Sequence, residues 1–268
     1  MRVAGAGFPA LLCLLAVLAG SRSAGAAEPW TGQRIMEEVF RRQRLLSYVY
    51  EELTLILKDR AGNREVRKAH HFFRAEEDGT VKYLLVFDTP AEVRGVALLK
   101  VDHPSGPWEC GIYLPAFGKR LLSQAGKTWS GPFLGTDFTI GDLTSESPAD
   151  FRYVRAADQK VDLAPCYVVE VVPQNEETER ATGYGLRRHF IRQDIFRMVR
   201  TDYYDPRRRF FKRQTFHDPT RVQGDVWQAN MALMENHRER HETLIKTDRR
   251  VISRDYVPPE IFTPAWLL

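Results

Sequence analysis

Apolar residues recur every three or four positions from Thr31 to about Leu46: Ile35, Met36, Val39 and Phe40, then Leu46, with Arg34, Glu37, Arg41 and Arg44 between them. That period predicts an amphipathic helix covering one mouth of a sheet, with Thr31 placed to cap its start. After residue 46 the period falls to two. Val49, Leu53, Leu55 and Leu57 share one face, opposite Tyr48, Tyr50, Glu52, Thr54 and Lys58, and Glu51 interrupts the apolar face. The turns Asp59–Asn63 and Glu77–Gly79 lead into a second strand ending near Arg74 and a third through Phe87, so hairpins follow one another in series.

Between Leu84 and Leu143, short apolar runs are broken by Pro90, Gly95, the Pro104–Pro107 turn and Pro115. A glycine-rich loop carrying Phe133, Leu134 and Phe138 closes the stretch, with more apolar side chains than a loop needs. Further strands are expected near 151–156, 165–173, 185–192, 195–204, 209–217, 225–235 and 238–249, with turns at Gly183, Gly185, Asp205-Pro206 and Asp218-Pro219. Strands at this density, without alternating helices, exclude a doubly wound α/β fold. The expected fold is mainly β: an antiparallel sheet curled into an incomplete, half-open β-barrel, with one or two covering helices.

The Leu84–Leu143 stretch also carries a resemblance. Its Phe87…Thr89-Pro90…Val93-Arg94-Gly95…Leu98-Leu99, then Trp108…Tyr113-Leu114-Pro115…Arg120, then Phe133-Leu134-Gly135-Thr136-Asp137-Phe138…Asp142-Leu143 is similar to the outer membrane lipoprotein-sorting protein group. That group belongs to the LolA/LolB-like periplasmic carriers. Trp227–Asn236 and His241-Glu242-Thr243 resemble its closing strands, so the similarity extends over nearly all of the chain after residue 27. The resemblance implies the same half-open barrel with an apolar concave face. It further implies a carrier of a lipid, or of the acyl chains of a lipoprotein, taking cargo from an inner-membrane donor such as a resistance-nodulation-division lipid exporter to an outer-membrane acceptor. No cofactor is expected, and the protein is expected to act as a monomer. The same fold serves regulators that sense mislocalised lipoproteins, which usually add a C-terminal domain.

Residues 1–27 have the layout of a cleaved export signal: Arg2, an apolar Phe8–Ala19, and Ala24-Gly25-Ala26-Ala27. The apolar stretch is short of the roughly 20 residues a membrane span needs. Residues 28–268 are expected to form a single periplasmic domain. Removing Arg2 and Arg22 lowers the formal charge from +4 to +2, so the overall basicity does not mark a nucleic-acid binder. About 240 residues remain, enough for one sizeable core. Two cysteines, Cys110 and Cys166, remain as well; either they form a disulfide or both are buried thiols, and the sequence leaves the two readings open.

Chemistry is sparse. His70 and His71 are neighbours in a strand and point to opposite faces, which prevents them from sharing a metal. Asp137 and Asp142 lie in the glycine-rich loop with no His or Cys nearby in sequence, and are expected to bond loop amides. No nucleophile elbow, phosphate loop or Cys-x-x-Cys is present, and an envelope hydrolase has no motif to support it. From strand period and loop composition, Leu98, Tyr113, Leu114, Phe133, Leu134 and Phe138 are expected to line a lipid site. Between Arg187 and Arg213, ten Arg and Lys stand against three Asp. Arg187, Arg188, Arg207, Arg208 and Arg209 are either solvated hairpin faces or a docking patch for anionic headgroups or an acidic partner.

Overall fold

A computed structural model describes residues 1, 30–105, 108–115, 119–124, 130–144 and 148–267. The export signal expected over residues 1–27 lies, apart from Met1, outside the described residues.

Thirteen strands stand among the described residues. The first six are β1 (Tyr48–Lys58), β2 (Arg64–Ala75), β3 (Val81–Thr89), β4 (Ala97–Asp102), β5 (Glu109–Leu114) and β6 (Lys119–Gln124). The remaining seven are β7 (Phe151–Val161), β8 (Ala164–Pro173), β9 (Leu186–Arg192), β10 (Arg197–Tyr204), β11 (Phe210–Gln223), β12 (Val226–Asn236) and β13 (His241–Val251). All pair antiparallel in one sheet, in the order β6-β5-β4-β3-β2-β1-β13-β12-β11-β10-β9-β8-β7. Two meanders are thus joined where the first strand meets the last, β1 beside β13. Edges β6 and β7 are not paired to each other among the described residues, so the sheet stays open, as the strand pattern led one to expect.

The sheet must nevertheless curl. Leu98 on β4 and Arg197 on β10 line one cavity although seven strand spacings separate them, roughly 34 Å on a flat sheet at about 4.8 Å each. Because β6 and β7 are opposite edges, the connection between them has to cross the sheet, and residues 130–144 do so over the concave face. Phe133 packs there among Leu55, Leu85, Phe87 and Leu98. Phe138 packs among Tyr184, Tyr203 and Met234. The opposite face of β1–β5 is covered by the C-terminal turns, where Val257, Ile261 and Phe262 pack on Leu84, Ala97 and Leu99.

The helix expected near the start is α1 (Gly32–Gln43), and the Thr31 hydroxyl accepts the Arg34 N–H at 3.2 Å. Its buried Ile35, Met36 and Val39 lie on Phe151, Tyr153, Val169, Val171 and Ile191 of β7–β9. The contact is close because Gly32 has no Cβ, which would stand 2.7 Å from Arg155 N and 2.8 Å from Tyr153 O.

Two expectations need correction, and one open alternative is resolved. Asp218-Pro219 is not a turn: β11 runs through it, with Pro219 opposite Ala229. Pairing with β10 ends at Thr215, so on that side the Pro219 position has no ladder partner to lose. A second helix, α2 (Glu176–Thr182), stands where only turns were expected. Its sequence signals are Asn175, whose side chain accepts the Thr178 N–H, three acidic residues in the first turn, and Gly183 in the left-handed conformation at its end. Finally, Cys110 and Cys166 are free. They sit on β5 and β8, near opposite ends of the sheet order, and each is buried in a different apolar cluster. Burial pushes the Cys110 thiol up to about 11, as befits an inert side chain.

Candidate functional site

The concave face encloses a groove of about 270 Å³, close to the lower end of the roughly 300–1,000 Å³ usual for ligand sites. Its apolar wall comes from Leu53 and Leu55 of β1, Leu85 of β3, Leu98 of β4 and Ile245 of β13, with Phe138 and Leu143 from the crossing loop. Alternation puts these β1 leucines on the inward face, as period two predicts.

Further along the same wall the chemistry changes. Glu51, the residue that interrupted the apolar face in the sequence, lies opposite His71 on β2 and Arg250 on β13. Its carboxylate accepts from Arg250 Nε at 2.6 Å and stands 2.9 Å from His71 Nδ1. Arg250 also donates to Asn230 Oδ1 at 2.9 Å and to the Ala229 carbonyl at 2.8 Å. Burial works against the charge on Glu51, yet His71 and Arg250 overcome it and hold the carboxyl at about 2. Arg250 reaches this face because of a bulge. Leu53 pairs with Thr247 and Glu52 with Arg249, leaving Asp248 as an extra residue. Up to Thr247 the odd residues of β13 share the face of Leu53 and Leu55; beyond the bulge an even residue, Arg250, takes their place. Asp248 is fixed on the other face by Lys68 Nζ at 2.9 Å and by the Thr54 hydroxyl.

Arg197, at the start of β10, completes the polar end of the groove. Its guanidinium lies over the Phe216 ring, 5.7 Å from the centroid. Among the described residues its Nε is buried with no hydrogen-bond partner. Burial draws Arg197 down to about 10, Arg250 adds to the effect, and Glu51 opposes it.

The crossing loop is held by a second buried network. Lys212 of β11 donates to Asp142 Oδ2 at 2.8 Å, to the Asp137 carbonyl at 3.1 Å and to Tyr184 Oη at 2.5 Å. Tyr184 in turn donates to Asp142 at 2.8 Å. The same carboxylate accepts the Thr139 N–H, and the Thr139 hydroxyl accepts the Asp142 N–H, a capping box on the single helical turn Ile140–Leu143. Burial would raise the Asp142 carboxyl, but the Lys212 ammonium keeps it below the usual range. Asp137 stands 2.6 Å from His241 Nδ1 and accepts the Thr243 hydroxyl at 2.8 Å. Both aspartates thus bind the loop to the sheet.

Of the six residues expected to line a lipid site, Leu98 and Phe138 do line the groove. Phe133 is core beneath it, and Leu114 and Leu134 pack against that core. Tyr113 belongs to the opposite face, under the C-terminal turns. The arginine patch is dispersed. Arg187 is buried over the Phe151 ring at 4.5 Å, whereas Arg188, its neighbour in the strand, bonds Glu170 at 2.6 Å. Arg207, Arg208 and Arg209 are exposed around a turn, with Arg209 paired to Asp205. His70 and His71 do diverge, His70 to Tyr50 and Asp88, His71 to Glu51. Among the described residues no three His, Cys, Asp or Glu side chains are grouped to hold a metal. Arg197 and Arg250 were not anticipated as site residues. Glu51 was the visible signal, but its partners depend on a bulge and on the curl.

Comparison with known proteins gives the fold its relatives. An outer membrane lipoprotein-sorting protein domain from Vibrio parahaemolyticus superposes with a TM-score of 0.80 at 24% identity, covering 88% of this chain and 97% of that one. A DUF1329 family protein from Desulfovibrio piger gives 0.77 at 21% identity, covering 88% and 99%. A LolA superfamily protein from Nitrosomonas europaea gives 0.69 at 15% identity, covering 89% and 100%. At these identities the likeness is one of fold. No curated protein matches the chain. A family model described as "uncharacterized protein" matches residues 79–268. The chain therefore belongs to that family, and its fold is that of the LolA-like lipoprotein-sorting proteins.

Proposed function

We propose that the protein is a periplasmic carrier that holds an acyl chain in the groove and moves a lipid, or the lipid anchor of a lipoprotein, through the envelope toward the outer membrane. The observation that carries this reading is the apolar wall of Leu53, Leu55, Leu85, Leu98, Phe138 and Ile245 inside a sheet that stays open. Each methylene buried there is worth about 0.8 kcal/mol, so a chain is held without covalent chemistry and leaves when an acceptor buries it better. Export by residues 1–27, an inner-membrane donor and an outer-membrane acceptor belong to the same proposal. No helix among the described residues is long and apolar enough to cross a membrane.

The test is extraction of lipid from natively purified protein followed by mass spectrometry, together with binding of a fluorescent acyl probe to delipidated protein. Co-purifying acyl lipid and saturable probe binding are expected. Absence of both overturns the carrier reading.

A further inference from the structure

The groove is amphipathic along its length. On β1 the inward face passes from Glu51 to Leu53 and Leu55, so the polar end and the apolar end lie roughly 13 Å apart at about 3.3 Å per residue. At the polar end the charges do not balance. Glu51 is matched by Arg250 at 2.6 Å, and Asp142, the other carboxylate on the wall, by Lys212 at 2.8 Å. Arg197 has an aromatic ring beneath it, its Nε is buried with no hydrogen-bond partner among the described residues, and the carboxylate that acts on its charge, Glu51, is already bonded to Arg250. A guanidinium nitrogen shut off from water without a partner costs stability, because it has lost hydration and gained nothing that replaces it. Such a residue makes sense where something else supplies the anion.

We infer that the groove is shaped for an amphiphile with one acyl chain and an anionic head, a carboxylate or a phosphate, with Arg197 as the contact for the head and Arg250 adding to the positive potential. This rests on the carrier reading of the same groove. The leucine wall takes the tail; a volume of about 270 Å³ suits a single chain better than two. Arg197 donates through its guanidinium, a geometry that matches two oxygens of a carboxylate or phosphate at once. Arg250 stays engaged with Glu51, Asn230 and the Ala229 carbonyl, so it positions the site rather than grasping the ligand. The diacylglyceryl head of a lipoprotein anchor is neutral and offers no such charge, which points to a free anionic lipid as cargo.

The experiment uses delipidated full-length protein and displacement of a neutral fluorescent alkyl probe by oleate, 1-oleoyl-lysophosphatidate and oleyl alcohol. At least one of the two anions is expected to bind about tenfold or more tighter than the alcohol, as one charge-assisted contact warrants. Which anion leads distinguishes carboxylate from phosphate. In Arg197→Met that preference should collapse while oleyl alcohol binds as before, and the ligand-free variant should melt at a higher temperature than the wild type. Equal binding of all three ligands to folded wild type overturns the anion site and leaves the carrier reading standing. So does an Arg197→Met variant that loses all three equally or melts lower, since Arg197 would then be structural. Failure of every ligand, the alcohol included, removes the carrier reading and this inference with it.

Discussion

Lys212→Met is the most informative perturbation of the fold. The lysine side chain is 3% exposed and its Asp142 partner 2%, and all three ammonium donors are used, on Asp142, Tyr184 and the Asp137 carbonyl. At 2.8 Å the attraction between the two charges is roughly 6 kcal/mol for an effective dielectric of about 20, before desolvation is subtracted. Removing the cation leaves Asp142 buried without its counter-charge, and a loss of about 3–5 kcal/mol is expected. For a chain of this size that lowers the melting temperature by roughly 6–20 °C. Asp142→Asn combined with Lys212→Met removes both charges, and most of the loss should return; the double-mutant cycle by urea denaturation measures the coupling. A Lys212→Met variant that loses less than about 1 kcal/mol would refute the argument that this pair anchors the crossing loop.

The remaining predictions are these. Phe138→Ala trims a buried side chain of the groove wall without burying a charge, so acyl-probe binding should fall while circular dichroism remains native and stability drops by about 3–5 kcal/mol; unchanged binding would take the loop out of the site. Acid should destabilise the protein in two stages. His189 is buried and held neutral, with burial and then Arg187 drawing it from 6.5 to about 3, so its contribution is complete above pH 6.5 and is lost as pH falls toward 3. Glu51, drawn from 4.5 to about 2, adds a second loss that begins only below pH 4.5. Urea midpoints at pH 7.5, 5.5, 4 and 3 should show that His189→Gln flattens the loss above pH 4.5 and Glu51→Gln the added loss below it. Gly32→Ala should destabilise the packing of α1 on β7 by about 1–3 kcal/mol, measured by thermal melts, because the added methyl meets backbone rather than a movable side chain.

Much of the fold could be read from local pattern. The two-residue period set most strand positions, and Thr31 with its apolar stripe set α1, because both signals are local and the sheet is built of successive hairpins. What escaped was non-local or positional. Pro219 reads as a breaker unless one knows that β10 has already ended beside it. Tyr113 and Leu98 are both apolar strand residues, yet one faces the C-terminal turns and the other the groove, and only the register distinguishes them. Arg197 and Lys212 looked like members of a surface basic run because charge density along a chain says nothing about which side of a curled sheet each residue meets. Glu51 was legible as an anomaly; Arg250, its partner almost two hundred positions later, was not.

The bulge at Asp248 has a wider consequence for how such a carrier can change its cargo. A strand with a single inserted residue has two phases, and the insertion point decides which side chains are swapped between inside and outside. Deleting Asp248 would leave Arg249 opposite Glu52 and Arg250 opposite Glu51, whereas ironing the bulge out with Asp248 kept would pair Asp248 with Glu52, bring Arg249 inward opposite Glu51 and turn Arg250 out. Moving the insertion by two positions would shift the polar end along the groove and shorten or lengthen the tail it accommodates. Ligand choice in this architecture can therefore drift through where the bulge sits on one strand, with no residue of the facing strands replaced.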